Sequence, residues 1–148
     1  MNSASNPLSQ QINPRVIGLF LKNLGDFQTE LARVAAGFVP ALGVWRQRKE
    51  FPALIFRSLR RVQDLRQRGR ELGVSFEEMH FSRNVAGHAL IEQLCHAANP
   101  ADFFSATVVV HSVLVEAIEN YLKHNEGVYD LPSVSLLETD RDELKSQI

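Results

Sequence analysis

The chain has 148 residues, of which 45% are hydrophobic and 22% charged, and its formal net charge is −1. This length and apolar content fit one soluble domain with a single core and exclude a globally disordered chain. The one cysteine excludes a disulfide framework and a cysteine-rich zinc module. No uninterrupted apolar run reaches the roughly 18 residues of a membrane span, so we expect a cytoplasmic protein without membrane contact.

The N-terminal part of the chain predicts a polar tail followed by a long helix. Residues 1–12 are rich in Ser, Asn and Gln, and we expect them to be disordered and not a signal peptide. Asn13 and Pro14 form an N-cap and first-turn pair. Apolar residues then recur every three or four positions up to Phe38, which predicts an amphipathic helix. Three charged residues are expected on its outward side: Lys22, Asp26 and Arg33.

A second helix is predicted from about Pro52 to Leu72, with Gly73 as the residue that ends it. Its buried side is expected to hold Ile55, Leu59, Val62, Leu65 and Gly69. Its outward side is expected to hold Arg57, Arg60, Arg61, Asp64 and Arg68.

The charge of the chain is unevenly distributed. Residues 46–70 carry nine basic and two acidic side chains, whereas residues 116–148 carry three basic and eight acidic ones. The arginine-rich helix could attract an anionic partner such as a nucleic acid. The alternative, which we favour, is that its arginines face the acidic segments of the same molecule. No interleaved aromatic residues form a base-stacking surface, so nucleic acid is not the expected partner.

Helix-start signals divide the second half of the chain. Ser75 to Glu78 form a capping box that predicts a third helix reaching about Ala98. Asn99 and Pro100 open a fourth helix, from about Ala101 to His124. A last helix opens near Asp130, and its apolar pattern has no stop signal before the sequence ends. The pattern predicts an all-α fold over residues 13–148, an antiparallel bundle of four to five amphipathic helices with an incomplete last helix.

The histidines are the main candidates for chemistry. His88, Glu92 and His96 share one helix face and could chelate a metal, but this face lies opposite the apolar side and is expected to be solvated. His111 falls near the middle of the apolar side of the fourth helix. It is the best single candidate for a functional residue, as a metal ligand, although a core histidine whose nitrogens are satisfied by neighbours is the favoured interpretation.

Several segments resemble proteins of the ferritin-like superfamily, particularly uncharacterised bacterial members. They are the arginine-rich stretch from Leu65 to Leu72, the helix opened by Asn99, the stretch from Tyr121 to His124, and the tail 128–137 with its Asp-x-Pro-Ser-Val sequence. The resemblance covers about residues 50–148 and implies a ferritin-like helical bundle. In its active members this bundle carries two irons or manganeses. Such centres need two Glu-x-x-His stretches as well as two further glutamates, and the chain does not provide this full set.

We therefore expect a ferritin-like bundle without a di-metal centre that acts as a binding or interaction module and self-associates. No catalytic residue is predicted. Iron or manganese is implied by the resemblance alone. One alternative is a divergent di-iron or di-manganese enzyme that uses His111. The other is anion or nucleic-acid binding through a set of arginines: Arg57, Arg60, Arg61 and Arg68.

Overall fold

The computed structural model describes residues 14–41, 43, 45–75, 85–124 and 130–148. All regular structure in these ranges is helical, which confirms the all-α prediction. The helices are α1 (Pro14–Phe38), α2 (Trp45–Glu71), α3 (Val85–Cys95), α4 (Pro100–His124) and α5 (Leu131–Lys145), with a short 3₁₀ turn at Val39–Ala41. The predicted disordered tail 1–12 and most of the predicted capping box lie outside the described residues.

The predicted helix boundaries agree with the structure in α1 and α4 and differ in α2 and at the end of α5. Helix α3 ends at Cys95 and not near Ala98, and its predicted first turn lies outside the described residues. Helix α2 begins at Trp45 and contains Pro52 in its interior. The sequence placed the helix start near this proline, because proline is typical of the first turn. Helix α5 ends at Lys145, and the backbone N–H of Ser146 donates to Asp142 O over 3.1 Å. A C-terminal boundary therefore exists where the sequence showed no stop signal.

Gly73 ends α2 as predicted. Its φ of +82° lies in the left-handed region that only glycine adopts freely. The N–H of Gly73 donates to Arg70 O and the N–H of Val74 donates to Gly69 O, both over 3.0 Å, which is the hydrogen-bond pattern of a Schellman motif. The motif directs the buried Val74 back against α1, where a Cβ on Gly18 would meet Val74 Cγ2 at 2.3 Å.

Contacts between α1 and α2 build much of the core. Gly25 lies against Leu65, Gln28 is hydrogen-bonded to Arg61, and Phe38 lies beside Phe51. The residue numbers in these contacts rise along α1 as they fall along α2. At one end of the core, the rings of Phe51 and Phe103 stack with their centroids 5.1 Å apart, and both side chains are fully buried.

The prediction of which side chains are buried is wrong at several positions of α1 and α2. Leu59, predicted to be buried, is 48% exposed, and Val16, one of the recurring apolar residues that predicted the first helix, is 58% exposed. Lys22 and Asp26, both predicted on the outward side, are buried as an ion pair with Lys22 Nζ 2.7 Å from Asp26 Oδ2. Helix α1 has contacts with α2 and α3 as well as ring contacts with α4, so it buries more than a single stripe.

Within the part of the chain that the structure describes, α4 is the one helix long and apolar enough to cross a membrane by length and composition. An 18-residue window of it has a mean hydropathy of 1.5, and 39% of that window is buried. No uninterrupted apolar run marks this helix in the sequence, because Ser, Thr and His interrupt the valines and leucines. The core helix of a soluble bundle passes the same test, so the finding is weak evidence for a membrane span. The absence of membrane contact stays a prediction.

Candidate binding cleft beside His111

His111 lies on the buried side of α4, where the apolar pattern predicted it. Its side chain is 1% exposed. The favoured sequence interpretation was a histidine whose nitrogens are satisfied by neighbours. Among the described residues, however, neither Nδ1 nor Nε2 of His111 has a hydrogen-bond partner. A buried imidazole without partners costs free energy, so it marks a place where a polar group from outside the fold would be stabilised.

His111 lines a cleft of about 430 Å³ between α2, α4 and the end of α5. Helix α2 contributes Arg57 and Leu54 to the wall, α4 contributes Phe104 and Val108, and the C-terminal end contributes Ser146 and Gln147. The volume lies in the range of small-molecule sites, and the wall combines apolar side chains with a few polar groups, as is usual for such sites.

Arg61 lies one turn beyond Arg57 on α2 and is 4% exposed, although it was predicted on the outward side. Its Nε donates to Gln28 Oε1 over 2.7 Å and lies 3.1 Å from Asp140 Oδ1. Gln28 Nε2 in turn donates to Asp140 Oδ2 over 3.0 Å. The network joins α1, α2 and α5 through one arginine.

The terminal nitrogens of Arg61 are less well satisfied. Nη1 lies 3.5 Å from Glu143 Oε2, a charge contact too long for a good hydrogen bond. In the described part of the chain, Nη1 and Nη2 have no hydrogen-bond partner, and the same holds for Ser58 Oγ, one turn earlier on the same face of α2. Gln147 Oε1, at the cleft, is also buried without a partner. Unsatisfied polar atoms therefore concentrate where α2 meets α4 and the end of α5.

The electrostatic environment of His111 is positive. Burial, together with the charges of Arg61 and Arg57, lowers the pKa of the imidazole to about 4. At neutral pH the ring is uncharged and can donate one hydrogen bond and accept another. A neutral histidine beside two guanidinium groups suits an anionic ligand better than a metal cation.

Asp140 has the opposite shift. Burial raises the pKa of its carboxyl to about 6, while Arg61 and the hydrogen bond from Gln28 act against this rise. Burial also lowers the pKa of Arg61. The sequence analysis missed Asp140 and Gln28 as partners of the arginine-rich helix. One signal was available, because Asp140 interrupts a buried stripe on the last helix formed by Ser133, Leu137 and Leu144.

Arg68, near the C-terminal end of α2, is bound by side chains at the start of α5. Its Nε donates to Ser133 Oγ over 2.9 Å and its Nη2 contacts Asp130 Oδ1 at 2.5 Å. The same Asp130 oxygen accepts from the N–H of Ser133 as the N-cap of α5. Arg68 Nη1 also donates to Glu71 over 2.8 Å. These contacts anchor the start of α5 to α2.

The structure therefore separates the four arginines that the sequence grouped as an anion site. Arg57 lines the His111 cleft, and Arg61 lies behind it in a buried network. Arg60 is exposed and lines a different, smaller groove, to which Arg61, Asp64 and Asp140 also contribute. Arg68 is eleven residues from Arg57, about 16 Å along the helix.

The candidate metal-ligating residues do not converge in the described residues, where no group of three or more His, Cys, Asp and Glu side chains could hold an ion. His88 and Glu92 are exposed as predicted, with Nε2 and Oε1 3.3 Å apart. The chain does contain one Glu-x-x-His stretch, from Glu77 to His80, which the sequence interpretation overlooked. It lies outside the described residues.

Comparison with known proteins adds no relative. No family model matches the chain, and neither the curated proteins nor the solved structures give a match.

Proposed function

We propose that this protein is a helical-bundle binding module that takes a small molecule in the cleft beside His111. One observation carries the proposal: a side chain that is 1% exposed lines a cleft of about 430 Å³, and neither of its ring nitrogens has a partner among the described residues. A ligand with a polar group at this position would satisfy the imidazole and displace water from the apolar wall.

The experiment is a ligand screen with the His111 ring as reporter. The imidazole resonances of the five histidines are followed by NMR while a chemically diverse set of small molecules is added. The His111→Gln variant assigns the His111 signal. Ligands that bind as proposed shift this signal and leave that of the exposed His88 unchanged.

A pair of adjacent variants tests the location. Val108 lines the cleft, whereas Val109 is 55% exposed and does not line it. Val108→Trp should fill the cleft and abolish binding of the screened ligands, and Val109→Trp should leave it unchanged. If both variants bind equally well, or if no molecule shifts the His111 signal, the proposal is wrong.

The ferritin-like, antiparallel form of the bundle is part of the proposal. Two observations support the antiparallel arrangement. The contacts between α1 and α2 pair rising with falling residue numbers, and so do those between α2 and α5, from Arg61 with Asp140 to Arg68 with Asp130. The ferritin-like assignment itself rests on the sequence resemblance, and an experimental structure would test it.

Self-association is a second candidate function. Apolar side chains one turn apart are exposed on two helices: Phe56 (68%) and Leu59 (48%) on α2, and Val109 (55%) and Val113 (39%) on α4. Removing such surface from water favours contact with a second copy of the chain. Sedimentation across a dilution series should show a dimer that Phe56→Ser weakens, and a monomer at every concentration would contradict this candidate.

A further inference from the structure

We infer that the ligand of the His111 cleft is an amphipathic organic acid, with its single anionic group at His111 and Arg57 and its apolar body along α4 toward Phe104. This inference rests on the proposed function and names the ligand class that the cleft selects. The positions of the polar and apolar residues of the cleft wall along α2 and α4 support the inference.

The charged end of the cleft is defined by Arg57 and His111. Arg57 is exposed at the cleft wall, and its charge acts on the imidazole together with that of the buried Arg61. A carboxylate here would accept a hydrogen bond from the imidazole and pair with a guanidinium, which are charge-assisted contacts. Glu50, the one acidic residue among the described cleft residues, lies seven positions before Arg57, about 10 Å along α2.

The apolar part of the wall begins beside this charged end. Ala53 and Leu54 face it from α2, while Val108 and Phe104 face it from α4. Phe51 of α2 contacts Phe104 with ring centroids 4.7 Å apart, so Phe104 lies toward the start of α2 and away from Arg57. The cleft wall therefore has Arg57 at one end, the oppositely charged Lys49 and Glu50 at the other, and aliphatic and aromatic carbon between them. This order fits a molecule with one anionic group at Arg57 and an apolar chain beyond it.

The length of the cleft sets the size of this molecule. Seven residues separate Phe104 from His111, which corresponds to about 10 Å of helix. An extended acid of about eight carbons covers this distance with its carboxylate at His111. An inorganic anion or a very short acid would reach the charged end and leave the apolar wall in contact with water.

Isothermal titration calorimetry with the full chain at neutral pH tests the inference with a matched series of probes. Octanoate has the charge and the length, octan-1-ol has the length alone, and acetate and inorganic phosphate have the charge alone. We expect octanoate to bind at least about tenfold more tightly than the other three, because each lacks either the charge-assisted contacts or the apolar burial.

Two arginine variants provide the control. Arg57→Gln should weaken octanoate binding about tenfold and leave octan-1-ol binding unchanged, because only the charged probe contacts the guanidinium. Arg60→Gln removes a charge of the same helix at the smaller groove. It should change neither octanoate binding nor octan-1-ol binding. Loss of octanoate affinity in both variants would mean a general charge effect and would overturn the inference.

The remaining outcomes separate this inference from the proposed function. If octan-1-ol, acetate or phosphate binds as tightly as octanoate, the amphipathic-acid inference is wrong, while the cleft remains a binding site. If none of the four probes binds, the inference is also wrong. The diverse screen and the Val108→Trp variant then decide the proposed function independently.

Discussion

Arg61 and Asp140 form a buried ion pair across two helices, with Arg61 Nε 3.1 Å from Asp140 Oδ1 and each side chain less than 5% exposed. Gln28 bridges the same two groups from a third helix. The pair and the bridging amide therefore fix α5 on the α1–α2 pair.

Removing one member of this pair should destabilise the protein strongly. Arg61→Met leaves the Asp140 carboxylate buried without its cation, and we expect a loss of about 3 kcal/mol in the free energy of unfolding. Arg60→Met, at an exposed position of the same helix, should change it by less than about 0.5 kcal/mol. Urea denaturation measures both.

A double variant separates the pair from the helix packing. Arg61→Met with Asp140→Leu removes both charges and should recover much of the loss, because well-packed apolar residues can replace a buried ion pair. A double variant as unstable as Arg61→Met alone would show that the network around Gln28, and not the charge balance, dominates.

His111 should make the protein less stable in mild acid. Burial together with Arg61 and Arg57 lowers its pKa from 6.5 to about 4, so between these values the unfolded chain binds a proton that the folded protein does not. The contribution of His111 to the free energy of unfolding is fully present above pH 6.5. It decreases as the pH falls toward 4, by about 1.4 kcal/mol per pH unit. The other charged residues that line the cleft, Lys49 and Glu50, are the same in wild type and in the His111→Gln variant with which it is compared.

The measurement is the unfolding free energy of wild type and His111→Gln between pH 4 and 8. The difference in unfolding free energy between wild type and His111→Gln should change by about 1.4 kcal/mol per pH unit below pH 6.5. It should be constant above pH 6.5. His88→Gln, at an exposed site, is the matched control and should show no such slope. Parallel curves for wild type and His111→Gln would contradict the prediction.

Asp140 should act in the opposite direction over nearly the same range. Burial, with smaller contributions from Glu143 and Asp64, raises its pKa from 3.8 to about 6 against the opposing effects of Arg61 and Gln28. The folded protein therefore binds a proton below pH 6 that the unfolded chain binds only below about 3.8. This contribution to stability is complete below pH 3.8 and is lost as the pH rises through 6.

Asp140→Asn should remove this contribution and make the acid sensitivity caused by His111 more visible. The variant is expected to lose stability between pH 6 and 4 more steeply than wild type, in which the two groups offset each other. Asp142→Asn, on the exposed side of α5, should follow the wild-type curve. A shallower acid dependence in Asp140→Asn would contradict the raised pKa of the carboxyl.

Two glycines of α1 should respond oppositely to alanine. A Cβ at Gly18 would lie 2.3 Å from Cγ2 of the buried, β-branched Val74, so we expect Gly18→Ala to cost about 2 kcal/mol. A Cβ at Gly37 meets nothing within 4 Å, and Gly37→Ala should stabilise the helix by about 0.5 kcal/mol. Thermal unfolding of both variants tests the close approach of Val74 to α1, and equal shifts would contradict it.

Much of the helix assignment and the place of His111 could be predicted from the sequence alone, because both depend on local signals. The spacing of apolar residues and the caps at Pro14, Gly73 and Asp130 specify where helices begin and end. His111 shares the helical period of the buried residues of its own helix, so its burial follows from position. Pro52 was misleading, because a proline signal for a helix start can also occur inside a helix.

The tertiary structure alone decided which polar groups are buried and which of them meet. Arg61 has the same helical period as the buried Leu54, Ser58 and Leu65, yet its charge favoured an exposed position from the sequence. It is buried because Asp140 and Gln28, 79 residues after it and 33 before it in the chain, supply an anion and an amide. Such compensation cannot be derived from one helix, since a charge is stable in a core only where other elements bring its partners.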